Sequence, residues 1–449
     1  MKYLNTTAIK SFVICCQFIL LSSLLMAQKN TSSPYSMYGI GLLQANNFNS
    51  NAGSGGIGYA WRPSVYKPLI YDSLARSNAS LNDRKTNYIN PKNPASFSNI
   101  SLTTFEVGAK SFNTQFKSDS QTKQDNNSGL SHFAIAFPVG EKLGLGFGLR
   151  PYSAVGYEYE SSNSVNGASS TNKYEGSGGV NEFFLSGGIE ISKSFSLGVS
   201  TKYLFGKIKE NKRVIYSTSS ASSFFNTINR DETIINSFST EIGLQYFKNI
   251  NSDFRMVIGV VASPIDELNG KHNKLVATYT GAENLEKIKD TINLTKDESI
   301  KVPFAAIYGT GISIEKIGKW AIEFDYTYRN WAENKKVNGV YFGNAMNFAL
   351  GFEKFNEISS FGSYLKRMGY RFGLHHNTSL VNIKGVDISE TGLTFGFSMP
   401  LRKSFSTLNF GIELGKRGED KNGFSLEKYM NIQVGLTIND KWFIKRKYD

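Results

Sequence analysis

Residues 320–329 read Trp320-Ala321-Ile322-Glu323-Phe324-Asp325-Tyr326-Thr327-Tyr328-Arg329. Every even position in this stretch is large and apolar or aromatic, and every odd position is small, polar or charged. Successive side chains of a β-strand point to opposite faces, so such a strand has one apolar face and one polar face. The same alternation returns in 393–399, 408–415 and 430–439. Its repetition is typical of a transmembrane β-barrel, with lipid outside and water inside.

Fourteen segments between residues 101 and 449 are candidate strands, an even number, as expected for a single-chain bacterial barrel. Short connections, such as 139–141, alternate with longer polar ones, as periplasmic turns alternate with outer loops in such barrels. The longest, 265–298, is expected to be a solvated outer loop with a short helix over 282–289. The predicted fold class is all-β, a transmembrane antiparallel β-barrel of about 14 strands over residues 101–449. The predicted strands are 101–113, 128–139, 142–160, 172–192, 194–216, 232–249, 252–264, 299–315, 318–332, 337–355, 364–377, 387–401, 403–416 and 427–439.

Two soluble folds would also show alternation. The strands of a β-sandwich usually run about five or six residues, much shorter than most of the candidates. A propeller would show an internal repeat of about 40–45 residues, and none is visible in the sequence. Both folds are therefore less favoured than the membrane barrel.

The one long apolar run lies at the start of the chain, although the mean hydropathy is only −0.28. Lysines precede an apolar stretch over 11–26, and Ala27 offers a small-residue cleavage point, so 1–27 is predicted to be a secretory signal peptide. Both cysteines, Cys15 and Cys16, lie inside it. The mature chain is then expected to contain no disulfide.

The formal net charge is +13. The basic residues are scattered through loops and strand ends, which does not favour nucleic acid as a partner. A rim or lumen of a barrel facing anionic lipid headgroups accounts better for this distribution.

Residues 28–100 differ from the rest of the chain. Glycine-rich and proline-punctuated stretches interrupt regular structure there, including Gly53 to Gly58. One interpretation is a disordered periplasmic leader. The aromatic residues Tyr35 and Tyr38 argue against it, because disordered segments are usually poor in aromatics. We therefore expect 28–100 to form an N-terminal plug or periplasmic segment.

Residues for catalysis, cofactor binding or metal binding are not apparent. His375 and His376 are adjacent, and adjacent strand residues point to opposite faces, so they cannot easily share a metal. The glycine-rich stretch 53–58 lacks the residues of a phosphate-binding loop, and no nucleophile motif lies in a strand-to-helix turn. The inward carboxylates are expected to pair with residues such as Lys110, Lys202 and Arg371. We expect no enzyme activity, no cofactor and no metal.

Several short motifs carry a resemblance to a known family: the Ser33-Pro34-Tyr35-Ser36 start, the Gly-Gly segment, Asn93-Pro94-Ala95-Ser96 before the first strand, and Trp442-Phe443 at the end. With these motifs the chain resembles the outer-membrane long-chain fatty-acid transporter family (FadL/TodX-like, OMPP1-type), in a divergent Bacteroidetes-type form. The resemblance implies a 14-stranded barrel with an N-terminal plug, and movement of hydrophobic molecules through the barrel wall. The polar insert 63–90 departs from that pattern, which leaves a pocket for a fatty acyl chain in doubt.

Pro151 lies inside the third predicted strand, where a residue without an N–H cannot complete the ladder. Together with Gly156 it predicts a bulge or kink. One interpretation is a lateral opening for apolar cargo, and the other is a bulge near the membrane surface with no role in transport. The remaining candidate residues are Tyr35 and Tyr38 in the plug, with Asn93 and Pro94 at the junction of plug and barrel.

Three hypotheses of function remain. The first is a bacterial outer-membrane barrel for passive uptake of hydrophobic, fatty-acid-like compounds by a lateral route. The second is a structural or accessory subunit of an outer-membrane protein secretion or assembly complex, with outer-membrane or periplasmic protein partners. The third is a soluble exported β-protein. Under the first two hypotheses the expected partner in common is outer-membrane lipid.

Overall fold

Antiparallel strands form almost all of the regular structure. The computed structural model describes residues 31–63, 88–118, 121–165, 168–216, 224–264, 267–282, 285–331, 340–341, 343–355, 363–378, 382–383, 386–401, 404, 406–420 and 424–440. The predicted signal peptide, most of the 63–90 insert and Trp442-Phe443 lie outside these residues. No helix within the described ranges is long and apolar enough to cross a membrane.

The strands are numbered in chain order. They are β1 Leu42–Leu43, β2 Thr103–Ser118, β3 Gln121–Pro138, β4 Leu143–Val165, β5 Ala168–Ser192, β6 Phe195–Tyr216, β7 Asn226–Asn249, β8 Phe254–Ser263, β9 Glu267–Thr280, β10 Lys287–Pro303, β11 Ala305–Lys316, β12 Trp320–Trp331, β13 Val340–Tyr341, β14 Ala345–Lys354, β15 Gly369–Asn377, β16 Asn382–Ile383, β17 Val386–Asp387, β18 Glu390–Pro400, β19 Thr407–Arg417 and β20 Leu426–Asp440. Short 3₁₀ turns occupy Pro34–Met37, Pro94–Asn99 and Tyr364–Arg367.

Fourteen staves, each one full-height position in the wall, close into a barrel within the described residues. The C-terminal half of strand β7 pairs with β8 and its N-terminal half pairs with β9, so β8 and β9 follow each other along one stave. In the same way, β11 and β10 follow each other along the next stave. The wall closes where β2 pairs with β20, from Thr103↔Asp440 upward. The short strands β13, β16 and β17 form a separate small sheet. The predicted closed barrel of about 14 strands is confirmed.

The predicted loop 265–298, with its helix over 282–289, is wrong. Strands β9 and β10 occupy most of this range and continue their two staves outward beside the long strands β4 to β7, with only a short connection between them. The side chains of β10 are mostly exposed on both faces. Because neither face of such an extension is buried in lipid, its sequence lacks the alternation that predicts a strand.

The opening segment forms β12, the ninth stave, and its faces point as predicted. The outward Ile322 and Phe324 are 45% and 42% exposed, whereas the inward Glu323 and Asp325 are 2% and 0% exposed. Large apolar side chains cover the outside of the other staves in the same way. The polar inner face is therefore shielded from water by something inside the barrel.

The described part of 28–100 fills the interior. Phe48 and Phe97 are each 1% exposed, and both belong to a core cluster that includes wall residues such as Phe184. The inner wall carries glycine where the filling segment approaches closely: a Cβ on Gly259 would lie 1.9 Å from the carbonyl oxygen of Tyr59. The boundaries of the plug, 28 and 100, stay a prediction.

We predict that Gly259→Ala destabilises the barrel by roughly 1–3 kcal/mol, because the added methyl group overpacks the contact between wall and plug. Unfolding of the detergent-solubilised protein by heat or denaturant measures the change. Gly343→Ala is the matched control, since a Cβ there would have no neighbour within 4 Å among the described residues. Equal stability of the two variants would contradict this close contact.

Candidate functional site

The barrel wall is interrupted between β3 and β4. These two strands pair only from Phe133↔Leu149 to Pro138↔Gly144, next to the short periplasmic turn. Beyond that level, β3 keeps its pairing with β2, and β4 keeps its pairing with β5. Among the described residues, no ladder pair joins β3 to β4 in the outer half. This interruption is called the wall gap below.

Two bulges lie where the wall gap begins. In β4 the register against β5 shifts between Pro151 and Ser153, which leaves Tyr152 as the extra residue. In β3 the register against β2 shifts so that Ser131 is extra. A bulge bends its strand and increases its twist, and Pro151 has no N–H to offer a neighbour. The bulges therefore splay the two strands apart.

The N-terminal segment occupies the wall gap. Strand β1 pairs with the free edge of β4 through Leu42↔Ala154 and Leu43↔Ser153. The Ser36 hydroxyl accepts from Gly156 N at 3.0 Å and lies 3.1 Å from the Gly156 oxygen. On the other side, Asn127 Nδ2 of β3 donates to Ser32 Oγ at 3.0 Å. Residues 31–43 thus contact both edges of the wall gap.

Gly156 permits this close approach. A Cβ at that position would lie 1.9 Å from the carbonyl oxygen of Thr31. Pro151 and Gly156, which the sequence placed in one bulge, therefore lie along the same edge of the wall gap.

Tyr35 and Tyr38 belong to the N-terminal segment that occupies the wall gap. The Tyr35 hydroxyl donates to the Ser425 oxygen at 2.6 Å. Burial and, to a smaller extent, the Glu427 carboxylate raise the pKa of Tyr35 to about 12, so this donor stays protonated at neutral pH. Tyr38 is half-buried at the cavity described below, and burial raises its pKa.

Asn93 and Pro94 are far from the wall gap. Asn93 caps the turn Pro94–Asn99 by accepting from Ala95 N, and it donates to the Tyr59 oxygen at 2.8 Å. Both residues pack against the inner face of staves β6 and β7 near their periplasmic ends, where glycines of the wall leave room for them. The structure therefore gives this pair a packing role between plug and wall.

A cavity of about 270 Å³ lies inside the barrel behind the wall gap. Its apolar and aromatic lining comes from both the N-terminal segment and the wall: Tyr38, Ile40, Leu42, Phe112, Tyr152 and Trp331. Charged side chains from several staves complete the lining. The cavity is therefore amphipathic.

Some cations on this lining have no complete set of partners. Arg150 binds Glu182 through two hydrogen bonds of 3.1 and 2.9 Å, but its Nη1 has no hydrogen bond to any described residue. Lys110 is 8% exposed, and no ion pair or hydrogen bond to it is found within the described residues; its nearest partner is the Phe112 ring, 5.3 Å away. The Nε of Arg329 is also buried and has no acceptor in the described part of the chain. An anionic group in the cavity would find donors here.

On the opposite side of the cavity, the carboxylates are already hydrogen-bonded by other side chains of the lining. Arg417 donates to Glu390 at 3.0 Å and to Glu427 at 2.8 Å, and the Tyr429 hydroxyl donates to Glu390 at 2.5 Å. His375 lies inward, 3.5 Å from Glu413, while His376 is exposed, as their adjacency predicts. Arg417 and Tyr429 already occupy these carboxylates.

The plug is fixed to the wall by buried carboxylates. Asp325 accepts from the backbone N–H groups of Gly58 and Tyr59, at 2.8 and 3.2 Å, and from Lys92 Nζ at 2.8 Å. Burial would lower the pKa of Lys92, but the attraction and hydrogen bond of Asp325, together with Tyr59 and Glu323, outweigh it and raise the pKa. Glu323 binds Ala60 N at 3.1 Å in the same way.

The sequence pattern missed the N-terminal strand in the wall and the cations without partners. Of the three inward cations expected to pair, Lys202 binds Glu241 and Arg371 binds Glu353, whereas Lys110 has no such partner among the described residues. The one local feature of the sequence that pointed to this site was Arg150-Pro151, where a charged residue that points inward directly precedes the bulge.

These observations define a plugged transmembrane barrel with an interrupted wall. The chain belongs to the BamG family, whose model matches residues 8–64 and 77–449. No curated protein matches the sequence.

Solved structures share the fold at low identity. A Pseudomonas aeruginosa FadL homologue aligns with TM-score 0.54 and 10% identity over 90% of this chain and 100% of that chain. The Pseudomonas putida toluene transporter TodX gives 0.53 and 12% over 89% and 99%. The Ralstonia pickettii toluene transporter TbuX gives 0.53 and 12% over 88% and 99%. The predicted resemblance to FadL/TodX-like barrels is confirmed at the level of the fold.

We predict that Lys92→Met destabilises the folded protein by about 3–5 kcal/mol, because it leaves the Asp325 carboxylate buried without its cation. Lys117→Met is the control: its ion pair with Asp420 is 3.1 Å long but the lysine side chain is 56% exposed. Such a pair contributes less than about 1 kcal/mol. Denaturant unfolding of both variants measures the difference, and comparable losses would contradict a plug held by this pair.

Proposed function

We propose that the protein is an outer-membrane barrel for passive uptake of hydrophobic, fatty-acid-like compounds by a lateral route. The observation that carries this proposal is the wall gap, which opens from the lipid-facing side toward the cavity. A barrel wall is normally closed, since an unpaired strand edge in lipid leaves backbone groups without partners. The protein accepts this interruption and covers it with a short segment of its own chain.

The interior argues against an axial route for cargo. The plug fills the barrel, and its backbone is hydrogen-bonded to Asp325 and Glu323 of the wall. These hydrogen bonds would have to break before an open pore formed. In contrast, only two residues of β1 pair with β4 across the wall gap. Residues 31–43 carry no charged side chain, so no ion pair holds them in the wall gap, whereas the Lys92–Asp325 pair holds the plug; this difference supports movement of cargo through the wall.

The lining of the cavity supports an amphipathic cargo with an acidic headgroup. Apolar residues such as Ile40 and Leu42 would contact the chain, and Lys110 and Arg329 would face the carboxylate. A charge-assisted hydrogen bond contributes about 1.5–3 kcal/mol where water is excluded. The structural neighbours TodX and TbuX are described as toluene transporters. A neutral aromatic compound is therefore the first cargo to compare with a fatty acid in an uptake assay.

We predict that a disulfide between Ser32→Cys and Asn127→Cys reduces uptake of apolar probes to the background level. This bond would hold the N-terminal segment in the wall gap, because the native side chains are 3.0 Å apart there. Uptake of a fluorescent fatty acid by cells or proteoliposomes, with and without reductant, is the measurement.

The control for this experiment is a disulfide between Ser186→Cys and Ser200→Cys. Their hydroxyl oxygens are 2.8 Å apart on the paired staves β5 and β6. This bond leaves the wall gap free, so uptake is expected to continue under oxidising conditions. Undiminished uptake with the first disulfide formed would exclude the lateral route.

We also predict that Lys110→Met raises the Kd for dodecanoate about tenfold and leaves the Kd for dodecanol unchanged. The reason is the loss of one charge-assisted contact, since tenfold corresponds to about 1.4 kcal/mol. Titration of the purified barrel with each ligand is the measurement. Lys117→Met, on the outer rim, serves as the control. An equal effect on both ligands would exclude a carboxylate at Lys110.

A second candidate function is a structural or accessory subunit of an outer-membrane protein secretion or assembly complex. Membership of the BamG family is compatible with it. Strands β4 to β7, β9 and β10 also rise as one sheet beyond the remaining staves, and β10 pairs only with β9 among the described residues. Purification in mild detergent distinguishes the candidates: a stoichiometric partner supports the subunit, and a barrel purified alone with uptake activity supports the transporter.

A further inference from the structure

The outside of stave β6 changes character along its length. Outward residues in the lower part are apolar, such as Val199, which is 46% exposed. Higher up come Tyr203 and Phe205, whose rings stack 5.5 Å apart. Directly above them, Lys207 and Lys209 point outward and their side chains are 57% and 53% exposed.

The aromatic residues mark the level of the membrane interface. The register places Phe183, Tyr203 and Phe238 side by side on staves β5, β6 and β7. Phe183 and Phe238 are 42% and 66% exposed on the outer surface. Aromatic girdles of barrels lie at the headgroup level, so the lysines above them reach the phosphates of the outer leaflet.

Lysines of the neighbouring staves converge on the same level. Lys207 pairs in register with Ile234, which pairs with Lys271. One row lower, Lys301 of β10 is the register partner of Asn269 and donates to its side chain at 2.7 Å. The four lysines Lys207, Lys209, Lys271 and Lys301 are called the basic patch.

The acidic residues around the basic patch do not neutralise it. Glu232 lies 3.8 Å from both Lys207 and Lys209, and Asp297 lies 3.4 Å from Lys271. Among the ion pairs of the described residues, these four ammonium groups thus face two carboxylates, and Lys207, Lys209 and Lys271 are half exposed. Beside Lys207 the next stave presents Gly179, so no side chain covers the lysine from that side.

We propose that the basic patch binds the phosphate headgroup of a phosphorylated lipid of the outer leaflet. Charge complementarity and the height of the lysines above the aromatic residues select this partner. The acyl chains would lie along the apolar outer face below, against residues such as Val199 and Phe238. The site is independent of the cavity and of the cargo proposed for it.

The experiment measures binding of lipid A with two phosphates to the purified full-length barrel in detergent, by native mass spectrometry. The test variant is Lys207→Gln/Lys209→Gln/Lys271→Gln. The matched control is Lys416→Gln/Lys428→Gln, because these two lysines are paired in register on β19 and β20 and are also exposed at the outer rim. We expect the affinity to fall at least tenfold in the test variant and less than threefold in the control.

Four outcomes would overturn the proposal. Unchanged affinity of the test variant removes the lysines from the site, and an equal loss in the control assigns the binding to rim charge in general. Displacement of the lipid by millimolar inorganic phosphate would assign the patch to a dissolved anion. Retention of lipid A without phosphates at the same affinity would show that the acyl chains alone bind. Gel mobility with and without heating confirms that both variants are folded.

Discussion

Backbone hydrogen bonding in the absence of water is the constraint on which this structure depends. In hydrocarbon, each strand edge must find a partner, and closure of the barrel through β2 and β20 satisfies almost all of the wall. The wall gap between β3 and β4 is the exception. There the chain supplies its own partner in Leu42–Leu43 and in the Ser36 hydroxyl, which bond to the edge of β4. The N-terminal segment therefore completes the wall as well as filling the interior.

The same constraint explains the polar interior. A plug made of turns carries many backbone N–H groups that secondary structure does not pair, and each needs an acceptor. Carboxylates of the wall provide these acceptors. Glu106 accepts from Ile89 N at 3.1 Å, Glu323 accepts from Ala60 N, and Asp325 accepts from Gly58 N. An inner face rich in acidic residues is thus compatible with a filled lumen. It does not indicate a wide aqueous channel.

The sequence predicted those features that repeat or that break a local rule. Alternation identified the ninth stave and the number of staves, and Pro151 marked the bulge at the wall gap. Features that depend on distant pairing left no local signal. The partnership of Leu42 with Ala154 joins residues far apart in the chain, and nothing in either stretch specifies the other. Strand β10 was missed because both of its faces are mostly exposed, which removes the alternation. Asn93 and Pro94 were recognised as conspicuous, yet the structure gives them packing contacts far from the wall gap.

The position of residues 31–43 has a consequence for the order of assembly. Most wall contacts join neighbouring staves and can form early, but the β2–β20 pair joins Thr103 with Asp440 and closes the ring over the longest chain separation. The segment that fills the lumen is made first and must remain within the curling sheet until the last strand arrives. Its turns and side chains therefore act as a template around which the sheet closes. A barrel deprived of this template would have to close around an empty, acidic interior.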